Sequence, residues 1–155
     1  MIIPCLNEEE SVSGVIRGFR QYLPTAAIYV FDNGSTDGTI QRAEDLGAIV
    51  RRVVERGKGN VVRRAFADVD SDVYLLVDGD DTYDPSIASE MAQLVLGTGV
   101  DLVTAARIPS DDSPKPRRGH GLGNSFISRL VRLLFRTNDV DVLSGYRALS
   151  RRFVK

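Results

Sequence analysis

Four carboxylates fall within seven residues in Val77-Asp78-Gly79-Asp80-Asp81-Thr82-Tyr83-Asp84, at the end of the unbroken apolar run Val73–Val77. In an extended chain Asp78 and Asp80 project to the same side, so both carboxylates can face one ligand. Close unpaired carboxylates repel and raise one another's pKa. A divalent cation relieves that repulsion, and an all-oxygen donor set suits Mg²⁺ or Mn²⁺. Gly79 removes a side chain where a ligand would need close approach of the backbone. Taken alone, the segment reads equally well as a solvated turn whose Asp residues cap their own backbone.

Other turns add to this one. Asp32 ends the apolar run Ala27–Phe31 as Asp78 ends its own, and Asn33-Gly34-Ser35 follows with exposed backbone donors. Gly57-Lys58-Gly59 leads a helical pattern, a place suited to an anion, with Lys58 adding charge. A plain helix-starting turn is the alternative there. The chain has no Walker A motif. Gly119-His120-Gly121-Leu122-Gly123-Asn124 follows no strand and reads as a hinge rather than a dinucleotide fingerprint. His120, the sole histidine, reads as a solvated loop residue. If the chemistry needed a general base, Asp81 and Asp84 are the carboxylates on offer, although Asp84 before Pro85 is better placed as a cap.

The elements that must position these turns follow from apolar spacing. Met1-Ile2-Ile3 predicts a strand end stopped by Pro4. Glu8, Glu9 and Glu10 sit at a helix start, where carboxylates oppose the positive end of the dipole. Val12, Val15, Ile16, Phe19 and Leu23 continue that helix. Strands are predicted at Ala27–Phe31, Ala48–Val54, Val73–Val77 and residues 101–106. Helices are predicted over 38–46, through Val61, Val62, Ala65 and Phe66, and through Met91, Leu94 and Val95 with Pro85 in the first turn. This alternation predicts an α/β fold with a mostly parallel sheet covered on both faces. In such sheets ligands bind at the carboxyl ends of the strands, where every Gly/Asp-rich turn falls. Residues 108–121 break the pattern as a basic, Pro-rich loop with Lys115, Arg117 and Arg118. Phe126, Ile127, Leu130, Val131 and Leu134 then form an apolar stripe with Arg129, Arg132 and Arg136 set among them. It reads first as a core-facing helix and second as a membrane-interface helix. Gly145-Tyr146-Arg147 leads into a further strand.

The 155 residues are 43% hydrophobic and 26% charged, enough for one domain with a core and too apolar for disorder. No apolar run reaches the roughly 18 residues of a spanning helix. A lone Cys5 fits a reducing compartment, and the glutamates at 8–10 stand where a secretory signal would be apolar. A cytoplasmic location is the expectation. The net charge of −1 hides an asymmetry: residues 1–106 hold 17 acids and 9 bases, a balance of −8, and residues 107–155 hold 4 acids and 11 bases, a balance of +7. This predicts two faces with different partners. No aromatic interleaving accompanies the basic third, which argues against nucleic acid.

Four motifs occur in order: Ile3-Pro4-Cys5-Leu6-Asn7-Glu8, Phe31-Asp32-Asn33-Gly34-Ser35-Thr36-Asp37-Gly38-Thr39, Arg56-Gly57-Lys58-Gly59-Asn60 and Asp78-Gly79-Asp80-Asp81. With Ser144-Gly145-Tyr146-Arg147-Ala148-Leu149 near the end, they resemble the family 2 glycosyltransferases of GT-A fold. The pattern is nearest to polyprenyl-phosphate sugar transferases of the dolichol-phosphate mannosyltransferase type. The resemblance implies a GT-A-type, Rossmann-like three-layer sandwich and a single domain over 1–155. Its nucleotide-sugar donor half would be 1–106 and its basic acceptor half 107–155, truncated at the C-terminus. It implies that Pro4, Leu6 and Glu8 line a nucleotide pocket and that Asp32, with Gly34 in the turn behind it, meets the base or ribose. Gly57, Lys58 and Gly59 would pass near the nucleotide, with Gly79 at the donor site. Asp78 and Asp80 would form the D-x-D element for Mg²⁺ or Mn²⁺, Asp80 as the main ligand and Asp78 near ribose and metal. Arg117 and Arg118 would contact acceptor phosphates. Asn33 stands where many relatives carry a second Asp, and Thr82 where some carry a metal-binding Gln.

The implied activity is metal-dependent, inverting transfer from a UDP- or GDP-sugar to a polyprenyl (dolichyl or undecaprenyl) phosphate at the cytoplasmic face of a membrane. An ionised acceptor phosphate needs no general base. Two alternatives stay open: transfer to a saccharide hydroxyl in cell-wall or polysaccharide synthesis, and a truncated domain that binds nucleotide without turnover.

Overall fold

The structure, a computed structural model, describes residues 1–105 and 144–155. The readings that fall on 106–143, including the basic loop and the Arg-studded apolar stripe, lie outside the described residues. The chain groups into two compact units, Met1–Val103 with Tyr146–Lys155, and Thr104–Gly145. Of the second, only residues 104, 105, 144 and 145 are described.

The elements run β1 (Ile2–Cys5), α1 (Val12–Tyr22), β2 (Tyr29–Asp32), α2 (Thr39–Asp45), β3 (Ile49–Arg52), α3 (Lys58–Asp68), β4 (Val73–Leu76), a 3₁₀ turn (Pro85–Ile87), α4 (Ala88–Thr98), β5 (Leu102–Thr104), β6 (Arg147–Ser150) and α5 (Arg151–Val154). They form one six-stranded sheet in the order β3-β2-β1-β4-β6-β5. The β1–β2, β2–β3 and β1–β4 pairs are parallel and β4–β6 is antiparallel. The mostly parallel α/β sheet predicted from the alternation of apolar patterns is therefore present.

Handedness distributes the helices. Right-handed crossovers from β1 to β2 to β3 put α1 and α2 on one face, and the return from β3 to β4 puts α3 on the other. On that second face Val61 and Ala65 of α3 pack with Ile2, Phe31, Tyr74, Leu76 and Leu149. On the first face α1 buries Val12, Val15, Ile16 and Phe19, and α4 buries Met91 and Val95.

Two local expectations need correction. Pro4 does not stop β1, which runs to Cys5. The Tyr29 and Asn33 amides donate to the Met1 and Cys5 carbonyls, whereas the Val77 amide donates to the Ile2 carbonyl. Odd residues of β1 thus bond toward β2 and even residues toward β4. Pro4 has its missing N–H on the β4 side, where pairing is registered at Ile2–Leu76 alone, so no ladder bond is lost. The glutamates also precede α1 rather than entering it: Ser11 is the N-cap, and the first turn holds no acid. Glu9 serves another helix. Its carboxylate accepts from the Gly38 amide at the N-terminus of α2 (3.0 Å) and from Arg42 (2.8 Å).

The C-terminal stretch, read with the basic half, returns to the sheet as β6 between β4 and β5. Among the described residues no helix is long and apolar enough to cross a membrane.

Candidate functional site

From β1 the chain proceeds to β2 and β3 on one side and returns to β4 on the other, so β1 and β4 diverge at the point where strand order reverses. Open α/β sheets bind ligands at such a point. A cavity of about 340 Å³ opens there. Pro4, Leu6 and Glu8 line it from the end of β1, Lys58 from the start of α3, and Asp78, Gly79 and Asp80 from the end of β4. These seven predicted site residues are brought together. Asp32, Gly34 and Gly59 are not among the lining residues, and Arg117 and Arg118 lie outside the described residues. Cys5, Asn33, Arg56, Gly57 and Val61 complete the lining.

Beyond β4 each carboxylate has its own setting. Lys58 Nζ donates to Asp78 Oδ1, whose side chain is largely shielded. Asp80 accepts from the Thr82 hydroxyl (2.7 Å) and amide (3.3 Å), so Thr82 spends its side chain on Asp80. Asp81 adopts a left-handed backbone (φ 57°), and a Cβ on Gly14 of α1 would lie 2.5 Å from its Oδ2. Burial, with Asp80 nearby, pushes the Asp81 carboxyl up. Asp84 caps the 3₁₀ turn by accepting from the Ser86 amide (2.8 Å) and hydroxyl (2.7 Å), which hold it below the usual carboxylate range. Its capping role, read from Pro85, is confirmed.

Gly79 allows a close approach within the protein itself. A Cβ there would lie 2.9 Å from Cys5 Sγ and 3.4 Å from Glu8 Cγ. The Ser11 hydroxyl donates to the Gly79 carbonyl (2.6 Å), fixing the acidic turn to the start of α1. Burial raises the Glu8 pKa; the Ser11 hydroxyl offsets part of the rise, and Asp80 and Asp78 add to it.

The neighbouring turn is built around two buried residues. Asp32 accepts from the Gly34 (2.9 Å) and Ser35 (3.1 Å) amides and so holds its own turn. Asn33 Nδ2 donates to the Val53 (3.0 Å) and Glu55 (2.9 Å) carbonyls, while its Oδ1 accepts from the Gly57 amide (2.8 Å). It thereby pins the loop that carries Arg56. Gly34 needs its positive φ of 89°, and a Cβ there would lie 3.2 Å from the Arg56 guanidinium.

The sequence reading did not single out Ser11, Arg56 or Val61 as site residues. Ser11 has a local signal, since it stands just before the apolar period of α1 in an N-cap position. Val61 lies one turn into α3 from Gly57, but nothing in the spacing alone aims it at the acidic turn.

Asp78 and Asp80 offer hard oxygen donors that fit Mg²⁺ or Mn²⁺. Among the described residues no three His, Cys, Asp or Glu side chains converge as a ready cation cage. The pair suits a cation that takes its remaining oxygens from an anionic ligand and water.

The likeness to known proteins agrees with this geometry. The family description "Glycosyl transferase family 2" matches residues 1–155. Protein RfbJ of Shigella flexneri is 53% identical over 77% of this chain and 93% of its own. A dolichyl-phosphate hexose transferase of Haloferax volcanii is 28% identical over 97% of this chain, which spans 65% of it. The crystal structure of glucosyl-3-phosphoglycerate synthase from Mycobacterium tuberculosis, in complex with Mn²⁺, UDP-glucose and phosphoglyceric acid, superposes with a TM-score of 0.75 at 27% identity; 97% of this chain and 55% of that one are covered. The fold is the GT-A arrangement, and the chain belongs to family 2 of the glycosyl transferases.

Proposed function

We propose that this chain binds a nucleotide sugar in the cavity between β1 and β4 and transfers its sugar, with inversion, to a polyprenyl phosphate. The observation that carries the reading is the polarity of that one cavity. Pro4, Leu6 and Val61 give it an apolar part suited to a base, and Glu8, Lys58, Asp78 and Asp80 give it a charged part suited to ribose and diphosphate. The mycobacterial synthase, solved with Mn²⁺ and UDP-glucose on the same fold, supports a nucleotide-sugar donor and a divalent cation. The name of the dolichyl-phosphate hexose transferase supports a polyprenyl phosphate acceptor. With such an acceptor, this reading sets the chain to work at the cytoplasmic face of a membrane.

In this reading Pro4 and Leu6 flank the base, and the Glu8 carboxylate accepts from a ribose hydroxyl. Asp32 and Gly34 act one layer behind: the Asp32 carboxylate shapes the turn that holds Arg56 and Asn33 in place. Gly59 sits outside the cavity lining, in the first turn of α3 beside Lys58, and would contribute only its backbone to the anion-binding end of that helix. Asp78 and Asp80 would hold Mg²⁺ or Mn²⁺, which when bound stabilises the charge of the departing diphosphate. Arg117 and Arg118 would orient the acceptor phosphate, and residues 107–155 would complete that half of a single domain.

A thermal-shift panel of UDP-, GDP-, CMP- and dTDP-sugars, with and without Mn²⁺, tests the donor site. A metal-dependent shift for one nucleotide is expected, lost in Asp80→Ala. Assays with polyprenyl phosphate and with saccharide acceptors then test the other half. Undiminished transfer by Asp80→Ala overturns the metal reading, and transfer only to a saccharide hydroxyl overturns the acceptor.

A further inference from the structure

We propose that Lys58 is a resident counter-ion of Asp78 that is released by an incoming diphosphate, so that divalent cation and nucleotide enter the site together rather than cation first. This deepens the reading of Asp78 and Asp80 as metal ligands and rests on it.

Four observations combine. Lys58 Nζ already donates to Asp78 Oδ1, so one carboxylate of the pair is neutralised before any cation arrives. Lys58 is the first residue of α3, whose N-cap Gly57 supplies no side chain to the free amides of the first turn. Those amides add partial positive charge beside the ammonium and oppose a lone dication. Asp80 accepts from Thr82, and no third metal-binding side chain converges among the described residues, so these residues by themselves offer an incomplete cation site. Finally, the Lys58 side chain is 57% exposed on a flexible stem. It can swing from Asp78 to a phosphate without disturbing a packed core.

The charges on the lining explain the order. Among the lining residues Lys58 and Arg56 offset two of the three carboxylates Glu8, Asp78 and Asp80, which weakens the attraction for a free dication. A diphosphate brings several negative charges, attracts the ammonium and the α3 N-terminus, and exposes Asp78 while supplying oxygens of its own. Cation and diphosphate therefore favour one another, and the coupling is the same from either side.

Mn²⁺ binding measured by electron paramagnetic resonance, with and without UDP and referenced to UDP–Mn²⁺ lacking protein, provides the test. Wild type should bind Mn²⁺ weakly alone and at least about tenfold more tightly with UDP present. Lys58→Met should bind Mn²⁺ alone at least about fivefold more tightly than wild type, and its coupling to UDP should shrink. Lys58→Arg, which keeps the charge, should retain the wild-type pattern, and Lys58→Gln guards against an effect peculiar to Met. Equal Mn²⁺ affinity of wild type, Lys58→Met and Lys58→Gln without UDP overturns the exchange while leaving the metal site standing. Failure of every protein to bind Mn²⁺ even with UDP overturns the metal reading and the exchange together.

Discussion

At Glu8 a carboxylate stands partly buried at the rim of the cavity with Asp78 and Asp80 near it, and burial is the largest influence on its pKa. A folded-state pKa above the unfolded value has a definite sign. The group's contribution to stability is fully present below the unfolded pKa and is lost as pH rises through the folded one. Glu8→Gln should therefore match wild type in acid and gain in relative Tm as pH is raised from about 4 to 8 without metal. A Tm difference that stays flat across that range would show that Glu8 ionises as it does in water. Asn33 illustrates a different constraint. Its amide donates to two carbonyls and accepts from one N–H while it is only 5% exposed. A carboxylate of the same shape cannot donate and would face both carbonyl oxygens. Asn33→Asp should cost about 2–4 kcal/mol in urea unfolding. Asn33 is thus structural in this chain, and a loss below about 1 kcal/mol would contradict that.

Between elements, the first two motifs are held chiefly by each other. The Asn7 amide donates to the Ser35 hydroxyl (2.8 Å), and its Oδ1 accepts from the Thr36 amide (2.9 Å). The Glu8 amide donates to the Thr39 hydroxyl (2.9 Å), and the Glu9 amide to Asp37 (3.2 Å). This seam joins the loops after β1 and β2 and sets the edge of the cavity. Asn7 makes it from a left-handed backbone (φ 56°), which Asn and Gly tolerate better than Ala. Asn7→Ala should lose about 1–2 kcal/mol, and Asn7→Gly less, because glycine keeps the backbone while losing the side-chain bonds. Equal losses in thermal or urea unfolding would remove the backbone from the account. The strands and helices were legible in the sequence because apolar period reports burial directly. The approach of Lys58 to the acidic turn was legible because both lie at strand ends or helix starts, whereas Pro4, Leu6 and Glu8 were expected at the site only from the family resemblance. What could not be read was which partner each polar side chain would take. Glu9 lies next to α1 in sequence but bonds Gly38 and Arg42, and Asp32, a candidate for the ligand, bonds its own turn. Such pairings are set by loops that meet only after the sheet forms. Pro4 leaves β1 unbroken because its missing N–H faces β4, a side that is set by sheet order rather than by local sequence.

For the whole molecule, the division of charge along the sequence is partly cancelled by the fold. Arg151 pairs with Asp70 (2.9 Å), and Arg152 pairs with Asp101 (2.8 Å), so two of the basic third's arginines meet acids of the first 106 residues. These pairs are exposed, and exposed pairs contribute about 0–1 kcal/mol. They do not account for the return of the C-terminal segment to the sheet. Burial does: β6 pairs along its length with β4, and Leu149, 4% exposed, joins Ile2, Phe31, Tyr74 and Leu76 in the core beneath α3. Tyr146, fully buried, contacts the rings of Phe19 (5.4 Å) and Tyr83 (5.6 Å) and so links α1, the acidic turn and the start of β6. The two kinds of contact separate by size. Leu149→Ala removes a core side chain and should destabilise by about 2–5 kcal/mol. Arg152→Ala should change stability by less than about 1 kcal/mol, and added salt should erase the difference. Urea unfolding of both variants at low and high salt measures this. A large, salt-sensitive loss in Arg152→Ala beside a small one in Leu149→Ala would make charge, rather than packing, the force that closes the sheet beside the acidic turn.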